Sequence, residues 1–553
     1  MFLNGVSHPP PEPSPPGRSG TRDRRQFLRD ATVALAATTS AGLFGALAGC
    51  GGTGSSPSAV TRPTGRPAPP PSTTEVLDPA AWSGLARSLD GTLVLPSAAA
   101  YAGAKLVYNL RFAGVDPAAV AYCANAPDVV RCVTFARHHG ITAIPRSGGH
   151  SYGGYSTGPG LVVDVSRIDT VSPDTTQMSA VIGAGTQLVD VYGQLSQAGM
   201  LLPAGSCPTV GIAGLTLGGG IGVVGRKYGL TCDSLVALAV VTADGRLLTC
   251  SADDHADLFW ASRGGGGGNF GIATSFTFGL HPLPELALFT VNWPWEAAAD
   301  VLGRWQEWMA AAPDELWSNC QLQSAGSDGL NVRSNGVFVG GPDALTGLLQ
   351  PLLGAGTPTN RFVSADSYLH AMLVEAGCGD LSIGQCHLSG ESAGATLPRS
   401  AFAATSAYLM TALPGAGVDA AVQTVQELHA TVPQLGGGLV FDSYGGAINT
   451  VAPDATAFVH RHALCALQSS TSWGPGAPPA TVDAAQSWLA RAAGAMAPFV
   501  SDAAYQNYID PTLVGWADAY YGANLPRLVA VKRRYDPDDF FHFAQSIPTT
   551  LPT

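Results

Sequence analysis

Two nucleophilic side chains stand in glycine-rich surroundings. His150 lies in Arg146-Ser147-Gly148-Gly149-His150-Ser151, and Cys207 in Ser206-Cys207-Pro208-Thr209-Val210-Gly211, followed by Gly218-Gly219-Gly220-Ile221-Gly222. An imidazole nitrogen and a thiolate can both be alkylated by an electrophilic cofactor. Glycines beside them let bare backbone N–H groups approach a pyrophosphate. The combination points to a flavin that is bonded to the chain, and bonded twice.

Those loops need elements to hold them. Val129 to His139 reads as a short amphipathic helix, with Val129, Cys132, Val133 and Ala136 at helical spacing. The run Ile141-Thr142-Ala143-Ile144-Pro145 is then a strand leading into the first glycine loop. Leu161 to Val165 and Ser179 to Ile182 are further strands, and Thr186 to Ala198 is a helix leading to the second loop. Leu235 to Thr242 and Arg246 to Cys250, joined by Asp244-Gly245, form a hairpin. Up to about residue 282 this alternation indicates a nucleotide-binding domain of mixed helix and strand. Residues 283–500 differ in texture, with Trp293, Trp295, Trp305, Trp308 and Trp317 close together, as core packing or the wall of a ring-binding cleft requires.

A chain of 553 residues is too long for one small core. Its net charge of −12 argues against a nucleic-acid partner, which needs clustered Lys and Arg. Arg24-Arg25-Gln26-Phe27-Leu28 is a twin-arginine pattern, and the apolar stretch Ala31 to Ala48 runs into Leu47-Ala48-Gly49-Cys50, which resembles a lipobox. Residues 1–50 are therefore read as an export signal with a lipid anchor at Cys50, plain secretion being second and a transmembrane anchor third. Residues 51–81, rich in Gly, Ser, Thr and Pro, read as a disordered linker. Apart from Cys50 and Cys207 eight cysteines remain, and in an oxidising compartment some of them are expected to pair. No CxxC or Cys/His ligand spacing occurs, so no metal is expected.

Four ordered blocks carry a resemblance. They are RSGGHS at 146–151, CPTVG with GGGIG at 207–222, DLFWASRGGGGGNFGI at 257–272, and YQNYID, YYG, RL, VKRRYDP and QSI near the end. From about residue 90 to 548 the chain resembles berberine-bridge-enzyme-like flavoproteins of the vanillyl-alcohol oxidase / p-cresol methylhydroxylase superfamily. The resemblance implies an α+β fold. Residues 90–282 would form a two-part FAD-binding domain of the p-cresol methylhydroxylase type with 501–548, which return to it. Residues 283–500 would be an inserted α+β substrate domain.

It also implies roles. His150 matches the histidine that bonds the flavin 8α-methyl, and Cys207 the cysteine that bonds C6. Arg146 belongs to the first block, and the backbone of Ser147, Gly148, Gly149 and Ser151 would meet the pyrophosphate. Gly211, Gly214, Gly218, Gly219, Asn269 and Gly271 would admit the rest of the cofactor. Tyr508 matches the tyrosine that takes the substrate proton, with Tyr505 assisting and Asn507 between them. Asp442 and Tyr444, in a strand read from Phe441, match residues that orient substrate or tune Tyr508, and Gln468 falls at a substrate-contacting position. Val210 occupies the place that gates oxygen, and valine there goes with oxidases. One departure is Leu215, where many relatives have histidine.

The expected function is an exported FAD-dependent oxidase. It would pass hydride from an alcohol or sugar carbon to covalent FAD and reduce O2 to hydrogen peroxide. Carbohydrate substrates are favoured, because a tethered surface enzyme meets environmental sugars. Oxidation of alkaloids, polyketides or aromatic alcohols, or their oxidative cyclisation, is the alternative. A ligand-binding surface protein on the same fold is the non-enzyme reading.

Overall fold

The computed structural model describes residues 77–551. The residues expected to form an export signal, Cys50 and nearly all of the expected linker lie outside the described residues. A helix, Pro79–Ser88, occupies the last three positions assigned to that linker, started by the Asp78 side chain accepting from Ala80 N.

The first glycine loop hangs from a four-stranded sheet, ordered Thr92–Val94, Ala119–Tyr122, Leu161–Asp164, Ala143–Arg146. The last three strands are parallel, so a crossover must join them, and the helix Ala126–His138 supplies it. Asn125 caps that helix by accepting from Asp128 N. The buried Asp128 carboxylate accepts from Asp90, Gly91 and Ala124 N–H and pairs with Arg131, which fixes the helix against the chain before it. The strand Leu161–Asp164 is buried throughout, as a parallel strand covered on both faces should be.

A five-stranded antiparallel sheet follows, ordered Val171–Asp174, Ser179–Gly183, Ile272–Gly279, Leu235–Val241, Leu247–Ser251. The expected Asp-Gly hairpin is its last pair, and Gly245 has φ +80°, the left-handed backbone such a turn demands. The helix Leu188–Gln197 packs beside this sheet. Its Leu188 and Val189 N–H groups donate to Val210 and Pro208 carbonyls, so it carries the second glycine loop at its N-terminus.

Residues 286–473 contribute a seven-stranded sheet, antiparallel throughout. The order is Asn360–Asp366, Leu286–Trp293, Leu330–Val339, Leu316–Ala325, Gly436–Ser443, Cys465–Trp473, Ala401–Leu409. Side chains alternate across a strand. Cys320, Leu322, Leu439, Phe441 and Leu467 enter a core with Trp305, Trp308 and Val425 of the helices Ala298–Ala311 and Gly415–Thr431. Trp305 Nε1 donates to Ser318 and Trp308 Nε1 to the Leu348 carbonyl, so these two tryptophans are packing residues with their polar atoms satisfied. The intervening residues point the other way, and they form one wall of the site.

The C-terminal residues come back to the first domain's glycine run. Lys532, fully buried in the helix Leu525–Tyr535, donates to the Asn269 carbonyl at 2.9 Å, the Phe541 carbonyl at 2.6 Å and Asp536 Oδ2 at 2.7 Å. Asn269 Oδ1 in turn accepts from Ile547 N. One cysteine pair, Cys378–Cys386, is a disulfide, while buried Cys123 and Cys132 have sulfurs 3.9 Å apart and unbonded.

Candidate active site

A cavity of about 920 Å³ lies between the two glycine loops, the polar face of the seven-stranded sheet and the chain around Phe541–Ala544. That is the upper end of ordinary ligand sites, roughly 300–1,000 Å³. The loops meet backbone to backbone. A Cβ on Gly148 would overlap Gly211 N and the Thr209 carbonyl, and one on Gly211 would overlap Ser147 Oγ. Bare glycines at both positions therefore bring His150 and Cys207 to the same wall. Gly214 also lines the cavity, with open space where its Cβ would stand.

Other predicted cofactor residues are placed differently. Gly218 and Gly219 lie off the cavity: side chains there would overlap Asn507 and Gln506, or Phe458. Gly218 makes room for the C-terminal segment and Gly219 for Phe458. Asn269 is also off the wall, its amide donating to the Gly265 and Gly266 carbonyls. Arg146, Ser147, Gly149, Ser151, Val210, Gly271, Tyr505 and Asn507 line the cavity with His150 and Cys207. Arg146 Nε is held by Asp164 at 2.5 Å and Nη2 by the Ala104 carbonyl, while its buried Nη1 has no partner among the described residues.

His150 Nε2 is 2.8 Å from Thr209 Oγ1, and the ring stacks on Tyr108. Burial, aided by the charge of Arg399, holds its pKa down to about 3, so the imidazole is neutral. Cys207 is exposed where the other free cysteines are buried, and it opens onto the cavity. Its thiol is pushed up by the surrounding protein and by Asp442, which leaves it a thiol until a cofactor or base intervenes.

The helical turn Gln506–Tyr508 faces these nucleophiles. The Tyr505 hydroxyl accepts from Gly220 N at 3.0 Å, Ile221 N at 3.2 Å and Asn507 Nδ2 at 2.9 Å. Those donors pull against burial, and its pKa is pushed only to about 12. Tyr505 thus ties the C-terminal segment to the second glycine loop. Tyr508 has no such donors. It lines the cavity, stacks on Tyr152 with centroids 5.2 Å apart, and is raised well above the ordinary phenol value by burial, then by Asp442. Gln468 Nε2 donates to the Tyr152 hydroxyl at 3.2 Å, which links it to this stack.

Asp442 is near the end of its strand, which runs Gly436–Ser443 and stops there because Gly445 and Gly446 turn away with φ +101° and +54°. Burial raises its carboxyl to about 7 against the pull of an Asn319 hydrogen bond, with Glu375 adding to the rise. Tyr444 lines the cavity, and its hydroxyl is 3.2 Å from that of buried Tyr408.

Beyond Asp442 and Gln468, sequence reasoning missed the sheet's contribution. Asn319, Gln321 and Gln323 line the cavity from one strand, with Gln468, Ser470 and Ser472 from another, and Asn335 and Glu375 beyond. Asn335 Nδ2 donates to both Glu375 oxygens, and Gln321 Nε2 to Asn319 Oδ1 and Asn335 Oδ1, each at 3.1 Å. Carboxylates only accept, so the amides on either side turn their NH2 groups outward and their oxygens toward Gln321. Gln321 Oε1 is left buried with no partner among the described residues. The signal was in Asn319-Cys320-Gln321-Leu322-Gln323, a strict polar–apolar alternation.

Comparison with known proteins agrees with this architecture. Residues 117–251 match the FAD binding domain model and residues 504–548 the "Berberine and berberine like" model. The FAD-linked oxidoreductase YgaK of Bacillus subtilis (strain 168) is 34% identical over 438 residues, 78% of this chain and 91% of its own. Physcomitrella patens BBE-like 1 superimposes with a TM-score of 0.77 at 30% identity, over 85% of this chain and 100% of its own. A chitooligosaccharide oxidase gives 0.74 at 26%, over 85% and 100%. The chain belongs to the berberine-bridge-enzyme-like family of FAD-linked oxidoreductases, and its α+β fold is that family's. Its residues fit FAD: a thiol opens onto the cavity, a neutral imidazole stands beside it, Gly214 leaves the wall bare, and Arg146 Nη1 is unpaired.

Proposed function

We propose that this chain is an exported oxidase of a hydroxyl-rich, saccharide-like alcohol, with FAD bonded through His150 and Cys207. The polar sheet face opposite those two residues carries the reading. A wall of carboxamides, hydroxyls and carboxyls suits a ligand rich in O–H groups, since each buried polar atom needs a partner. The similarity to a chitooligosaccharide oxidase supports it, and the twin-arginine pattern with Cys50 supports export and a lipid anchor. FAD, when bound, supplies the hydride acceptor.

The chain's own residues do the rest. Tyr508 is a protonated phenol at neutral pH, so it takes a substrate proton only by passing its own on. Asp442, which lines the same cavity and acts on Tyr508 electrostatically, would be the acceptor when ionised. Gln468 and Tyr152 hold the Tyr508 ring in place. Val210 lines the cavity and would leave dioxygen a path to a bound FAD, whose reoxidation would give hydrogen peroxide.

Anaerobic bleaching of the yellow holoenzyme by a panel of mono- and oligosaccharides, followed by peroxide assay on readmission of air, tests this. Bleaching with peroxide release is expected; a panel that bleaches nothing refutes it. Tyr108, Tyr152, Trp317 and Phe402 also line the cavity, which favours aromatic alcohols as a second reading. Bleaching by those alone would select it. Acid-denatured protein that keeps the mass of one FAD is expected, and a colourless pellet refutes covalent attachment.

A further inference from the structure

Thr209 stands two residues beyond Cys207, with only 2% of its surface exposed. Its hydroxyl fixes one edge of the His150 ring, Nε2 to Oγ1 at 2.8 Å. Tyr108 fixes one face, with centroids 3.9 Å apart and planes 14° from parallel. Among the described residues no hydrogen bond reaches Nδ1, and His150 lines the cavity. A neutral imidazole has one N–H and one lone pair. With the hydrogen on Nε2, the lone pair is on Nδ1, the free edge. With the hydrogen on Nδ1, the free edge has no nucleophile.

We propose that Thr209 is the positioning residue for covalent attachment at His150: its hydroxyl oxygen accepts the Nε2–H hydrogen bond and so keeps the lone pair on Nδ1. This rests on the covalent reading above. The bond that forms joins Nδ1 to the flavin 8α-methyl carbon, and the bond that breaks is one of that methyl's C–H bonds. One proton leaves from the methyl and one from Nε2, the latter by way of Thr209. Two electrons enter the ring system, and dioxygen takes them with two protons as hydrogen peroxide. Tyr108 prevents the imidazole from swinging off its edge while this happens.

The test uses a Cys207→Ala parent, in which His150 alone can carry the flavin. Chain from riboflavin-limited cells is given FAD, quenched in acid at intervals, and weighed intact. With that hydrogen bond lost, Thr209→Val should attach flavin about tenfold more slowly, and Thr209→Ser within about twofold of the parent. Bound-flavin absorbance before quenching separates slow attachment from failed folding. Thr209→Val attaching at the parent rate overturns the proposal. Should that variant bind no FAD, the ¹⁵N-histidine spectrum of the flavin-free parent decides, with His150→Ala for assignment: an Nε2–H tautomer supports the proposal and an Nδ1–H tautomer overturns it. A parent whose adduct is absent, or survives His150→Ala, instead removes the covalent reading itself.

Discussion

Replacing Asp442 by Asn should change rate and stability with opposite pH dependences. In the folded chain the carboxyl is raised to about 7 from 3.8, first by burial and then by Glu375. Between those values the folded state keeps a proton that the unfolded chain has lost, so this carboxyl's contribution to stability falls as pH rises. The slope is about 1.4 kcal/mol per pH unit, or about 4 kcal/mol across the window, and it vanishes above pH 7, where both states are ionised. The chemistry runs the other way. If ionised Asp442 takes the Tyr508 proton, flavin reduction should rise about tenfold per unit below pH 7 and level off above it, since only the ionised fraction can accept.

Stopped-flow reduction under nitrogen and urea unfolding, each from pH 5 to 9, would read both curves. The stability difference between wild type and Asp442→Asn should fall by about 1.4 kcal/mol per pH unit up to pH 7 and be flat above it, and reduction in the variant should become slow, by about 100-fold or more at pH 8, and flat with pH. Glu375→Gln should move the wild-type midpoint to lower pH, because it removes a neighbouring carboxyl that raises Asp442. An Asp442→Asn enzyme with the wild-type pH–rate curve would refute the assignment of Asp442 as proton acceptor. An Asp442→Asn variant whose stability keeps the wild-type pH dependence between pH 5 and 7 would refute the raised carboxyl.

Lys532→Met strands the buried Asp536 carboxylate and cuts the link to the Asn269 carbonyl. It should cost about 3–5 kcal/mol in denaturant unfolding, and a loss below about 1 kcal/mol would show the pair to be dispensable. Tyr505→Phe leaves Gly220 and Ile221 N–H without their acceptor. It should destabilise by about 1–3 kcal/mol and slow flavin reduction less than Tyr508→Phe does, which the same stopped-flow traces would check. Gln321→Leu removes the unpaired Oε1 from the cavity wall. It should raise KM about tenfold for a saccharide while the limiting reduction rate is nearly unchanged, as loss of uniform binding requires.

What the sequence made legible follows how local each cause is. The hairpin around Asp244-Gly245 and the helix capped by Asn125 rest on a few adjacent residues, and both were readable in outline from turn chemistry and spacing. His150 and Cys207 could be singled out by type and by resemblance, but their sharing a wall depends on Gly148 passing against Gly211, a contact between distant loops. The same nonlocality misdirected the reading of Gly218, Gly219 and Asn269. Glycine is needed wherever another backbone or side chain approaches closely, and here the approaching group is the C-terminal turn Gln506–Tyr508 for Gly218 and the Phe458 ring for Gly219, while Asn269 holds Ile547. A glycine run therefore marks a crowded place without saying what crowds it. The alternating Asn319-Cys320-Gln321-Leu322-Gln323 run carried the opposite lesson: its period of two showed a half-buried polar face, and only the sheet order reveals that this face looks across a cavity at the nucleophiles. Asp442, Gln468 and Tyr508 come together for a related reason. The C-terminal segment, pinned through Lys532 and Tyr505 to the domain that holds His150 and Cys207, carries Tyr508 to the rim of a sheet built from residues in between. Loosening either pin should disturb the chemistry before it disturbs the sheet, since the seven strands keep their own core of Trp305, Phe441 and Leu467.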